Sequence, residues 1–236
     1  MATVAIHQPN FFPWLGYFDK IAKSDVFVIL DSVQASKTGG SWLNRVKLAM
    51  NGEARWVTAP IDRTFHGVKR VEDIEFTPTA WREQVLKTLT SAYGRAEHYR
   101  ATMALIEPLV NNPEPNLSRF NQLAITTLAR RLKLHSSRFV LSSSLHLEST
   151  SNDLLIDITR AVGGRTYLCG GGASEYFDER PFEEAGIDVR YQNFVHPQYQ
   201  QASSGQAIPG LSVIDAIMNC GMDVVSGWLT SQATPS

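Results

Sequence analysis

The segment Val26-Phe27-Val28-Ile29-Leu30 is apolar at every position and closes on Asp31. A strand with one wet face alternates apolar and polar residues. An unbroken apolar run of this length belongs to a strand covered on both faces, as in a parallel sheet between helices. The start of the chain has the same construction on a smaller scale. Val4-Ala5-Ile6, short and β-prone, runs into His7-Gln8-Pro9-Asn10, where Pro9 and Asn10 stop the strand. Between these runs, Trp14, Leu15, Phe18, Ile21 and Ala22 fall at helical spacing, and Ser24-Asp25 ends the helix. Strand, helix and second buried strand imply an α/β unit, in which each strand delivers polar groups at its carboxyl end.

Asp31 to Ser41 is polar, contains Gly39-Gly40 and predicts a mobile loop. Strands are expected near Arg45–Ala49 and Arg55–Ala59, joined by the hairpin signal Asn51-Gly52. Residues 61 to 79 read as loop plus a short strand, Asp73 to Phe76. Three helices follow, Ala80–Ala92, Glu97–Val110 and Leu117–Leu132. Thr79 and Asn116 are candidate N-caps, and Asn111-Asn112-Pro113-Glu114-Pro115 is a linker. Next come a strand at Phe139–Leu141 and a helix capped by Ser151-Asn152-Asp153 and ended by Gly163-Gly164. A strand at Thr166-Tyr167-Leu168 feeds Cys169-Gly170-Gly171-Gly172. A short helix at Phe182–Ala185, a strand at Val189–Phe194, a Gln- and Ser-rich loop over 196–210 and a helix at Leu211–Cys220, capped by Gly221, complete the chain. The expected architecture is a single α/β domain over 1–236. Its sheet has mostly parallel strands with flanking helices, and a helical insertion or lobe lies at about 79–135.

Composition narrows the function. The 236 residues are 43% hydrophobic and 19% charged, enough apolar mass for a packed core. A net charge of -1 leaves no broad basic surface for nucleic acid. Two cysteines, Cys169 and Cys220, build neither a disulfide framework nor a multi-cysteine zinc site, and a reducing compartment is the simpler reading. The start of the chain lacks a secretory signal, and no window approaches the roughly 18 apolar residues of a membrane span, so a cytoplasmic protein is expected. No GxGxxG or Walker motif is present, and His66, His98, His135 and His146 lack partners at metal-ligand spacing, so no metal is expected.

In open α/β sheets ligands bind beyond the carboxyl ends of the strands, and three such ends carry reactive groups: His7, Asp31 and Cys169. His7 either moves a proton near neutrality or hydrogen-bonds to a turn. Asp31, heading Asp31-Ser32-Val33-Gln34, either orients an imidazole or substrate group or forms an Asx turn. Cys169 is a nucleophile, with His7 or His196 as its base, if a helix starting near Ala173-Ser174 lowers its pKa; otherwise it is a small buried hydrophobe. The amides of Gly170, Gly171 and Gly172 suit an anion or oxyanion. Asn44 and Arg45, beside Trp42, suit a phosphate or carboxylate, with a surface ion pair as the alternative for Arg45. His196-Pro197 presents a side chain from an extended loop or is an ordinary loop.

Several stretches resemble the WbqC-like family. They are His7-Gln8-Pro9-Asn10, Pro13-Trp14-Leu15-Gly16-Tyr17-Phe18-Asp19-Lys20, Asp25, the Asp31-to-Gln34 segment, Trp42-Leu43-Asn44-Arg45, Trp56-Val57-Thr58-Ala59-Pro60, Tyr167-Leu168-Cys169-Gly170, and Leu211-Ser212-Val213-Ile214-Asp215 with Asn219-Cys220-Gly221. The resemblance spans nearly the whole chain. Family members are often encoded within bacterial O-antigen and other surface-polysaccharide clusters, and some have been proposed to transfer an acyl or aminoacyl group, such as glycyl, to a sugar amine. Where the family pattern has Ser-Gly after the Tyr-Leu strand, this chain has Cys169-Gly170. A thiol thus stands where a hydroxyl is usual, which shifts the expected chemistry toward His7.

Together the residues and the resemblance imply an amide-forming transferase. His7 would deprotonate an amine, Asp31 would orient His7 or the amine, Cys169 would carry a transient acyl group, and the Gly170–Gly172 amides would hold the oxyanion. Gln8, Asn10, Lys20, Gln34, Asn44, Arg45 and His196 would bind substrate. No tightly bound cofactor is implied. The donor would be a thioester of coenzyme A or of an acyl or peptidyl carrier protein, and the acceptor a small molecule such as a sugar nucleotide. Two other readings remain open: a binding protein that holds the same molecules without turnover, and a thioester hydrolase acting through Cys169.

Overall fold

Unbroken apolar strands need cover on both faces, and they find it here in one five-stranded sheet whose every pairing is parallel. A computed structural model describes residues 2–35, 41–64, 66–134, 138–170, 177–201 and 208–232. At the centre of the sheet is β1 (Ala2–His7), flanked by β2 (Val26–Ile29) and β6 (Gly164–Cys169). The outer strands are β5 (Arg138–Leu141), beside β2, and β7 (Asp188–Tyr191), beside β6. The chain therefore builds outward from β1 through β2 to β5, then crosses back to place β6 and β7 on the other side of β1. The reversal falls between β1 and β6.

Side chains alternate across the pleat and supply two cores. Ala5, Phe27, Ile29 and Leu168 face one side with α1 (Leu15–Ala22), α7 (Val213–Cys220) and α8 (Met222–Gln232). The same core takes in α2 (Trp81–Tyr93), α3 (Tyr99–Val110), α4 (Leu117–Arg131) and the hairpin of β3 (Arg45–Met50) and β4 (Glu53–Thr58). Phe120 of α4 lies within 6.3 Å of Phe11, Phe12, Phe76 and Trp81, so the helices after residue 79 pack on the loop that follows β1. Val4, Ile6, Val26, Val28, Tyr167 and Cys169 face the other side, covered by α5 (Ser151–Ala161) and α6 (Arg180–Glu184).

Local signals hold at the hairpin, where Asn51 and Gly52 take φ of +53° and +81°. They hold also at α4, where the Asn116 side chain accepts from the Arg119 N–H at 3.0 Å. Elsewhere the structure corrects them. Val71–Asp73 is a 3₁₀ turn, and Glu75 and Phe76 make single bridges to Asn116 and Ile61 in place of a strand. Ala80 and Thr150, not Thr79 and Ser151, occupy the N-cap positions of α2 and α5, without side-chain caps. Among the described residues no helix is long and apolar enough to cross a membrane.

Candidate functional site

The two neighbours of β1 release it at different points. Pairing with β2 runs to His7–Ile29, but pairing with β6 stops at Ala5–Leu168. The Ile6 carbonyl is the first beyond the β1–β6 ladder, and Lys20 Nζ, reaching over from α1, donates to it at 3.0 Å. The strand ends part here into a cavity of about 310 Å³. His7, Lys20 and Gly170 line it, with Trp14, Gly16 and Tyr17 of the α1 segment on one wall and Gln192 and Phe194 beyond β7 on another. It is the crevice that a reversal of strand order opens at the carboxyl ends of a parallel sheet.

His7 packs against Tyr17 and Trp14, ring centroids 4.8 and 5.6 Å away. Its Nδ1 lies 3.1 Å from the Gln8 carbonyl, which only accepts, so Nδ1 carries the proton and Nε2 keeps a lone pair. Burial, reinforced by the Lys20 charge, holds the imidazole pKa down to about 3, so His7 is neutral at physiological pH. Lys20 is only 4% exposed, and burial lowers its ammonium pKa to about 8. The site therefore contains a neutral imidazole with an open acceptor and an amine that exchanges protons near neutrality.

A polar brace holds this geometry. Gln192 Nε2 donates to the Gly16 carbonyl at 2.6 Å and to Asp19 Oδ2 at 2.7 Å, and Lys23 pairs with the same carboxylate at 3.0 Å. The Gln192 N–H donates to the Cys169 carbonyl, so α1 is tied to the exit of β6. Asp19 is fully buried, and that burial raises its carboxyl pKa against the pull of Gln192 and Lys23. A Cβ on Gly16 would stand 2.8 Å from Trp14 Nε1 and 3.0 Å from Phe194, so a side chain here would displace the Trp14 ring on this wall.

The other expected site residues are placed differently. The alternation of the sheet puts His7 on the α1 side and the Cys169 side chain in the opposite core, 2% exposed. Burial raises the thiol pKa, with Lys20, Gly170 and Tyr167 opposing. Gly171, Gly172 and the helix start near Ala173-Ser174 lie outside the described residues. Asp31 does not meet His7: its carboxylate accepts from Ser142 Oγ, the Ser143 N–H and Ser143 Oγ at 2.9–3.1 Å, binding the turn after β5. Asn44 donates to the Ala59 carbonyl at 2.9 Å where the hairpin begins. Gln8 turns its carbonyl to His7 and the Tyr17 hydroxyl, Asn10 is buried, and Gln34 is exposed and bridged to Arg70. His196 stacks on Tyr199, whose hydroxyl donates to buried Asp215 at 2.7 Å. Arg45 stacks on Trp56 at 4.0 Å.

Trp14, Gly16, Tyr17, Gln192 and Phe194 were not anticipated as site residues. Gly16 and Tyr17 lie four and three residues before Lys20 and so flank it on one helix face, a signal available in the sequence. Gln192 gives no local signal, because the partners of its side chain lie more than 170 positions away.

Fold and site define an α/β protein with one parallel sheet and a small cavity, walled by aromatic residues and holding one lysine, where the strand order reverses. The chain belongs to the WbqC-like protein family, whose model matches residues 8–226. It is similar to the "Uncharacterized protein Rv1507c" of Mycobacterium tuberculosis (strain ATCC 25618 / H37Rv), 28% identical over 225 residues that cover 94% of this chain and 96% of that one. No solved structure matches it.

Proposed function

We propose that this protein forms an amide, transferring an acyl or aminoacyl group from a thioester to an amine held in the cavity between β1 and β6. The observation that supports this most is Lys20, a desolvated amine with a pKa of about 8 at the cavity wall. An amine nucleophile must lose a proton, and a group titrating near working pH serves best as its base. The amine nitrogen bonds to the thioester carbon, the C–S bond breaks, and the thiolate leaves. The proton from the nitrogen passes to neutral Lys20 and then to the thiolate or solvent. His7 Nε2 accepts a hydrogen bond from the incoming amine and, being uncharged, does not repel it. The Trp14 indole, on the cavity wall, is the donor we assign to the carbonyl oxygen as charge develops there, a contribution of about 3 kcal/mol for such donors. The burial of Cys169 favours direct transfer without an acyl-enzyme. The family resemblance suggests an amino sugar or its nucleotide as acceptor, and coenzyme A or a carrier protein as the source of the thioester.

The test is a panel of acyl and aminoacyl thioesters incubated with amino sugars and their nucleotides, followed by thiol release and by mass spectrometry of product and protein. Amide product that needs both substrates, persists in Cys169→Ala and falls at least 100-fold in Lys20→Met is expected. A protein adduct that disappears in Cys169→Ala would overturn direct transfer. Thiol release without an amine would identify a hydrolase, and saturable binding without turnover a binding protein.

A further inference from the structure

Lys20 is a buried cation without a counter-charge. It is 4% exposed, and among the described residues it joins no ion pair. One of its N–H groups donates to the Ile6 carbonyl at 3.0 Å, and the Tyr167 ring centroid lies 5.9 Å from Nζ. An ammonium has further donors to offer. The carboxylate on its own helix, Asp19, binds Lys23 and Gln192 instead, and Asp31 is held by Ser142 and Ser143. Burying an ammonium in this way is costly unless an anion joins it. Lys20 lines the cavity, so a ligand that enters can reach it.

The lining narrows what that anion is. Lys20 is the one lysine or arginine among the described lining residues, and it balances a single negative charge. Trp14, Tyr17 and Phe194 offer aromatic wall to an apolar tail, and about 310 Å³ suits a molecule of a few carbons. We propose that the cavity is a binding site for a small monocarboxylate, which pairs with the Lys20 ammonium and rests its short apolar tail on Trp14, Tyr17 and Phe194. The free acid of a short acyl group is such a molecule, and it competes with transfer by occupying Lys20. That inhibition rests on the amide-forming reading; the capacity for a carboxylate does not.

Binding needs protonated Lys20, so it fades as pH rises through the amine's pKa of about 8. The groups facing Lys20 change little between pH 6.5 and pH 9. From β1, His7 stays neutral, its pKa held down to about 3. From β6, burial raises the Cys169 thiol and the Tyr167 hydroxyl above their ordinary values, and on α1 it does the same to Tyr17. Asp19, also on α1, remains paired with Lys23.

Acetate and propionate are the probes, with acetamide as the uncharged control, followed by calorimetry and tryptophan fluorescence on wild type and Lys20→Met. Saturable binding of either carboxylate is expected, about tenfold weaker at pH 9 than at pH 6.5, because about one Lys20 in ten is protonated at pH 9. Acetamide and Lys20→Met should each bind at least 10-fold more weakly at pH 6.5. The wild type alone also decides the matter if Lys20→Met does not fold: calorimetry in buffers of different ionisation enthalpy should show close to one proton taken up per carboxylate at pH 9. No saturable binding, binding that is the same at both pH values, or equal binding by acetamide or by a folded Lys20→Met overturns the site. Carboxylate binding with these properties but no transfer from any thioester keeps the site and removes the amide-forming reading. Lys20-dependent transfer that neither carboxylate inhibits at pH 6.5 does the reverse.

Discussion

Replacing Lys20 with Met should change how stability responds to pH. The Lys20 ammonium has a pKa of about 8 in the folded protein and 10.5 as an ordinary lysine, because burial penalises its charged form. Between those values the unfolded chain binds more proton than the folded one, so the lysine's contribution to stability rises with pH. At pH 7 both states are protonated, and the charge costs the fold about 3 kcal/mol; by pH 10 the folded amine is neutral and the cost has shrunk to about 1 kcal/mol. Met is of similar length, lacks the charge and gives up the bond to the Ile6 carbonyl, a loss that does not depend on pH. Urea unfolding of both proteins at pH 7 and pH 10 isolates the effect of Lys20 and of its coupling to His7 and Cys169, since the titrating groups away from Lys20 cancel in the difference. The stability of wild type relative to Lys20→Met should improve by about 2 kcal/mol from pH 7 to pH 10. A difference that stays flat would show that Lys20 is not desolvated and would remove the basis for its role.

Gly16→Ala should leave the fold intact, because alanine favours a helix by up to about 1 kcal/mol, yet its Cβ would stand 2.8 Å from Trp14 Nε1. Ligand binding or turnover should fall at least 10-fold with an unchanged far-UV spectrum. Asp31→Ala should cost about 2–3 kcal/mol in urea unfolding, because the bonds to Ser142 and Ser143 are charge-assisted, while the pH profile of activity keeps its shape. Cys169→Ala should cost about 1 kcal/mol and retain transfer activity, since it removes one small buried group; loss of activity in a folded variant would return the thiol to the mechanism.

The sequence disclosed what short-range physics decides. The apolar run of β2, the helical spacing of α1 and the positive-φ pair Asn51-Gly52 each state their conformation within a few residues. The cap of α5 misled because Ser151 takes φ of +55° inside the first turn, so the cap position falls to Thr150. Helix α8 was missed because its exposed Val224 and Gly227 blur the buried stripe of Val225 and Leu229. The site was half legible. His7, Gly170 and Lys20 stand at strand ends or on one helix face, but their meeting depends on β1 lying next to β6, a pairing more than 160 residues apart. That same pairing decides that His7 and Cys169 emerge on opposite faces, which strand alternation alone does not reveal until the register is known.

The most direct test of the central claim is the pH dependence of amine-dependent thiol release between pH 6 and pH 9.5, once a thioester and amine pair is in hand. If neutral Lys20 accepts the proton, kcat/KM rises tenfold per pH unit below an inflection near its pKa of about 8 and levels above it, and Lys20→Met loses both rate and inflection. A wild-type profile flat across that range, or a Lys20→Met protein that keeps the inflection, would contradict the account.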